Sequence, residues 1–185
     1  MTARRQWVIA VGVVVAASVA LFMGVRTLRD DFVQVTVGTR APNFRAVTLD
    51  SVPQVRTIEA YRGFVTVVNI WATYCAPCRV EMPSLQRLYD EYRDKGLRIV
   101  AVSIDAPGME SAIRGFAAEL GLTFDILYDS PGAIQRDYMT SGGVPETFVI
   151  GKDGVIRFKK LGYEVWDAPD KKALFEQLLA EQGTS

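Results

Sequence analysis

Cys75-Ala76-Pro77-Cys78 holds both cysteines of the chain, and it falls where a hydrophobic strand gives way to a helix. The strand is Val65-Thr66-Val67-Val68-Asn69-Ile70-Trp71, and the helix opens around Ala76 and Pro77. Two thiols at this spacing can close a small disulfide ring and open it again. A thiol at a helix N-terminus has its thiolate favoured by backbone N–H groups and the helix dipole. The competing reading is a structural bridge, but a ring this short removes little entropy from the unfolded chain. Redox chemistry is therefore the expectation. Structural zinc takes four N or S ligands, and the chain has two Cys and no His. A c-type haem site needs His directly after the second cysteine, where Arg79 stands. A Cu(I) site of two thiolates stays chemically open.

At 185 residues and 49% hydrophobic content, the chain can build one domain with a proper core. Net charge is zero and the basic residues are scattered, which gives nucleic acid no electrostatic footprint. The apolar excess sits at the N-terminus, where Trp7 to Val25 carries no charge. That run reaches about 28 Å as a helix, against roughly 30 Å of bilayer hydrocarbon. Residues 1–25 are expected to be a single-pass membrane anchor. A cleavable signal ending near Ser18-Val19-Ala20 is the competing reading, but it leaves the apolar residues beyond it unexplained. Residues 26–39 read as a linker, with Val33, Val35 and Val37 in strand-like alternation, and 40–183 as the folded domain.

Within that domain, Phe44 to Leu49 and Val55 to Ile58 read as a hairpin. Val65 to Trp71 reads as a central strand buried on both faces. A helix from Ala76 to Lys95 carries Leu85, Leu88, Tyr89 and Tyr92 on one stripe, with a bend expected at Pro83 and a stop at Gly96. The pattern continues as strand Leu97 to Ile104, a helix with Ile113 and Phe116 inward, strand Phe124 to Tyr128 and a short helix Ala133 to Tyr138. A hairpin about Gly151-Lys152-Asp153-Gly154 and a last helix, Lys171 to Gln182, close the chain. This alternation predicts an α/β sandwich.

With the dithiol on a strand-to-helix turn, the chain resembles the thioredoxin superfamily. Trp71-Ala72-Thr73-Tyr74-Cys75-Ala76-Pro77-Cys78 resembles its active-site motif, with Tyr74 where Trp is usual, and Gly143-Val144-Pro145-Glu146-Thr147-Phe148 resembles its cis-proline segment. The membrane-anchored TlpA-like thioredoxins, of ResA and CcmG/DsbE type, are more similar still. They share the anchor, the Ala41-Pro42-Asn43-Phe44 start, the entry hairpin, a helix-strand insert at about Met109 to Tyr128, and Asn69 in place of a buried Asp. The resemblance implies a thioredoxin-like fold and an extracytoplasmic disulfide reductase on the bacterial cytoplasmic membrane, with its domain on the periplasmic side. Its substrates would be protein disulfides, as in cytochrome c maturation, and its electrons would come from a membrane-embedded thiol donor. No cofactor is implied beyond the redox-active Cys75–Cys78 pair, and no metal.

The resemblance assigns Cys75 as the attacking thiol and Cys78 as the resolving one. It implies a cis Val144–Pro145 bond, with the Val144 backbone offered to a substrate chain. Trp71, Tyr74 and Glu146 are candidates for substrate contact. Their plain alternatives are a core tryptophan, an exposed tyrosine and a surface carboxylate. Glu81 shares the helical stripe of Cys78 and Leu85 and so points inward. In ResA-like members the matching Glu lies near the thiols and contributes to their chemistry, so Glu81 is expected to be partly buried beside the dithiol and to act in proton transfer or pKa tuning. Asp105 and Asp129 read as turn or cap residues, and Arg79 as a solvated helix residue. A peroxiredoxin is the alternative enzyme. It would need a cysteine preceded by a Thr in a Pro-rich loop, plus an activating Arg; Thr73 lies two residues before Cys75, but the loop prolines are missing. The non-enzymatic alternative is a Cu(I) carrier.

Overall fold

A computed structural model describes residues 3–30, 35–50, 52–129 and 132–181. It divides into two units, Met1–Gln34 and Val35–Ser185. The first contains helix α1, Ala3–Asp30. Its described side chains, residue 7 and residues 11–23, are exposed. Among the described residues no helix is long and apolar enough to cross a membrane, so the anchor stays an expectation. The helix also runs five residues into the segment read as linker. Val33 lies outside the described residues. Val35 is buried and begins the second unit, and no strand forms through Val35 and Val37.

The second unit is built on seven strands: β1 Arg45–Thr48, β2 Val55–Thr57, β3 Val65–Trp71, β4 Leu97–Ser103, β5 Asp125–Tyr128, β6 Glu146–Ile150 and β7 Ile156–Leu161. They form one sheet in the order β2-β1-β5-β4-β3-β6-β7. β3, β4 and β5 are parallel neighbours, while β6 lies antiparallel to β3 and β7 antiparallel to β6. The entry hairpin β1–β2 adds to the far edge through β5.

Every residue of β3 is buried, because helices and loops cover both faces of the sheet. Alternation sorts the strand between two cores. Val65, Val67 and Trp71 join Leu85, Leu88 and Phe175 on one face. Val68 and Ile70 join Ile134, Tyr138 and Phe148 on the other. Asn69 falls in the first set and is therefore aimed at the helix that follows β3.

That helix, α2, spans Ala76–Tyr92 and contains Pro83 without a break. A 3₁₀ turn, Arg93–Lys95, completes it. Gly96 then stops it at φ 104°, a left-handed conformation that costs glycine little. The remaining helices are α3 Glu110–Glu119, α4 Ala133–Tyr138 and α5 Pro169–Ala180. The last begins two residues before the expected start, with Pro169 in its first turn, where a missing N–H is harmless.

Candidate active site

Cys75 and Cys78 are joined as a disulfide. Strand β3 delivers them: the chain leaves Trp71, turns with Cys75 N–H donating to Ala72 C=O at 3.1 Å, and enters α2 with Cys75 as its N-cap. The sulfur of Cys75 accepts from Cys78 N–H at 3.1 Å. An N-cap sulfur thereby meets one of the unpaired donors that begin every helix. Cys75 keeps 6% of its surface exposed and Cys78 none. Beside them Tyr74 is 73% exposed.

The Val144–Pro145 bond is cis. Ile70 of β3 pairs with Glu146 of β6, so Pro145 stands at the end of the sheet from which the dithiol emerges. Gly162 N–H donates to Pro145 C=O at 2.8 Å and ties this segment to the end of β7. Val144 is half-buried and Pro145 buried.

Glu81 is fully buried, one helical turn beyond Cys78. Asn69 Nδ2 donates to its Oε1 at 2.7 Å and to Thr147 Oγ1 at 2.8 Å. One amide thus joins α2, β3 and β6 behind the disulfide. Burial pushes the Glu81 carboxyl up to about 7, against smaller downward pulls from Asn69, Trp166 and the Glu164 backbone. The Trp166 indole leans on this group without closing a hydrogen bond, and Glu81 Oε2, Asn69 Oδ1 and Trp166 Nε1 have no partner. A carboxyl in this setting exchanges its proton near neutral pH.

Two candidates lie elsewhere than expected. Trp71 is fully buried against Phe116, with ring centroids 4.5 Å apart, and its indole N–H has no partner. It is a floor beneath the dithiol rather than a surface. Glu146 is also fully buried, with Lys159 Nζ 3.0 Å from Oε1. It accepts from Thr140 Oγ1 and Ser141 Oγ, each at 3.0 Å. Its carboxylate is spent on holding the segment before the cis-proline, because a buried charge needs a partner and hydrogen bonds. Lys159 is thirteen residues away on the neighbouring strand, and nothing in local sequence announces that pairing.

Arg79 is an exposed residue of α2, as its sequence position implies, but it also makes contacts that local sequence does not announce. Its guanidinium lies 4.6 Å from the centre of the Phe116 ring and 2.7 Å from Glu119 Oε1. The start of α2 is thus clasped to α3, the helix of the insert. Thr73 directs its hydroxyl at Asp105 Oδ1, 2.6 Å away.

A dithiol at a helix N-terminus after a central strand, beside a cis-proline, defines a thioredoxin-like thiol-disulfide oxidoreductase. The chain belongs to the AhpC/TSA family, whose model matches residues 37–159, and it is a ResA/CcmG-type member of the thioredoxin-like oxidoreductases. It is 35% identical over 144 residues to the thiol-disulfide oxidoreductase ResA of Oceanobacillus iheyensis, covering 77% of this chain and 73% of that one. It is 39% identical over 121 residues to the thioredoxin-like protein YneN of Bacillus subtilis, covering 65% and 68%. A putative thiol:disulfide interchange protein DsbE from Chlorobium tepidum superposes with a TM-score of 0.67 at 28% identity, over 80% of this chain and 98% of that one.

Proposed function

We propose that the protein reduces disulfides of other proteins outside the cytoplasm, as a membrane-anchored reductase serving apocytochrome c or similar cysteine pairs. The observation that carries the reading is Glu81, a fully buried carboxyl behind the disulfide whose pKa stands at about 7. The Cys75 thiolate attacks a substrate disulfide, forming a mixed disulfide and releasing one substrate thiolate. Cys78 gives its proton to the Glu81 carboxylate, attacks the Cys75 sulfur and frees the second substrate thiolate. Two electrons pass to the substrate, and the Cys75–Cys78 disulfide remains. A thiol donor in the membrane resets it. Tyr74, exposed beside Cys75, and the Val144 backbone receive the substrate chain.

The 19-residue uncharged run from Trp7 to Val25 and the likeness to ResA support the anchor and the compartment. Cys78→Ala expressed in its native membrane tests the reading, because it strands the mixed disulfide. Capture of an exported protein with a cysteine pair, in the membrane fraction, is the expected result. Capture of cytoplasmic partners, or no mixed disulfide at all, overturns it.

A further inference from the structure

The turn that presents Cys75 is held by a side chain from the next strand. β3 and β4 pair in parallel as far as Trp71 and Ser103, and Ile104 N–H still donates to Trp71 C=O at 2.9 Å. Beyond that rung the two chains part, one toward α2 and the other toward α3. The Asp105 carboxylate continues the connection where the backbone ladder stops. It accepts from Thr73 N–H at 3.0 and 3.2 Å and from the Thr73 hydroxyl at 2.6 Å.

Asp105 is 3% exposed, and it is itself fixed. Ser103 Oγ donates to its Oδ2 at 2.7 Å and accepts from its N–H at 3.2 Å. Tyr128 Oη donates to Ala106 C=O at 2.8 Å, and Asp129 N–H to Ser103 C=O at 3.0 Å. A cap that served only the end of β4 needs the Ser103 bonds alone. The three contacts to Thr73 reach instead across to the chain two residues before Cys75.

We propose that Asp105 is a positioning residue for disulfide exchange: through Thr73 it fixes the Ala72–Cys75 turn and thereby the line along which the Cys75 sulfur meets a substrate disulfide. Thiol–disulfide exchange needs three sulfurs nearly in line, so a turn free to rock lowers the rate of attack without removing either thiol. The proposal rests on Cys75 being the attacking sulfur. Selective alkylation checks that premise separately, since faster labelling of Cys78 would overturn the assignment of the thiols.

The test is stopped-flow mixing of the reduced full-length protein with glutathione disulfide, with rates expressed per folded molecule. Thr73→Val keeps the shape of the side chain, the backbone bond and the Asp105 charge, and removes only the hydroxyl donor. It is expected to slow the second-order rate about tenfold, as Asp105→Asn should too, while Thr73→Ser restores it to within about twofold. A Thr73→Val protein that reacts at the wild-type rate overturns the proposal. So does Thr73→Ser slowed as much as Thr73→Val. Where Asp105→Asn fails to fold, the two Thr73 variants decide alone. A wild-type protein inert to glutathione disulfide counts against the reading of this dithiol as the exchange centre rather than against the role of Asp105 within it.

Discussion

At the scale of single residues, the helical stripe from Cys78 through Glu81 to Leu85 already marks Glu81 as inward, and it is fully buried. Its environment was not legible, because Asn69 and Thr147 come from two other strands and periodicity is blind to which strands adjoin. Glu146 shows the same blindness in reverse. An acidic residue beside a loop proline reads as exposed, and only the fold brings Lys159 to it. The raised pKa of Glu81 has a defined consequence for stability. Its folded-state value of about 7 lies above the ordinary 4.5, so the folded protein holds this proton more tightly than the unfolded chain. The resulting stability is complete below pH 4.5 and is lost as pH rises through 7, amounting to about 3 kcal/mol. Denaturant titrations of the oxidised protein at pH 4.5 and pH 8 should show this fall in the wild type and not in Glu81→Gln. Equal pH dependence in the two proteins rejects the assignment. Glu81→Gln should also slow protein-disulfide reduction while leaving attack by Cys75 on a small disulfide nearly intact, since the proton at issue belongs to Cys78.

At the scale of elements, β3 and α4 match the ranges read from sequence, β3 as a long apolar run should. The misses fall where tertiary contacts replace local pattern. Val33, Val35 and Val37 alternate like a strand, yet Val35 is buried beneath β7, with its carbonyl accepting from Lys159 Nζ at 3.3 Å. The inward face of α3 was legible in Ile113 and Phe116, but its task was not. Phe116 lies against Trp71 under the dithiol and beneath the Arg79 guanidinium, so the insert braces the first turn of α2. Phe116→Ala should destabilise the protein by about 3 kcal/mol, the usual cost of deleting a buried aromatic ring. Arg79→Ala, which loses a half-exposed ion pair and one cation–π contact, should cost no more than about 1 kcal/mol. Urea unfolding of the two variants measures both. Equal losses would refute the larger share assigned here to the ring.

At the scale of the whole molecule, the sequence places the start of the domain at residue 40, whereas the compact unit begins at Val35. The five extra residues are bound to the sheet by the chain's far end. Gly38 N–H donates to Ile156 C=O at 2.8 Å, Ile156 N–H to Thr39 C=O at 2.9 Å, and Ala41 N–H to Gly154 C=O at 2.9 Å. Val35 is 1% exposed within the same cluster as Phe44 and Ile156. Such bonds join positions more than a hundred residues apart, which is why no local signal marks the boundary. Among the described residues, those before Val35 contribute none of the seven strands, and the first 34 residues hold neither cysteine. A protein beginning at Val35 should therefore fold and exchange disulfides at the full-length rate in solution. One beginning at Arg40 loses the buried valine and the Gly38 and Thr39 bonds, and should be less stable by about 3 kcal/mol. Denaturant midpoints of the two truncations, with insulin reduction as the activity readout, make the comparison. Equal stability would place the boundary at residue 40 after all, and an inactive protein from Val35 would mean that the N-terminal helix takes part in the chemistry rather than only in its location.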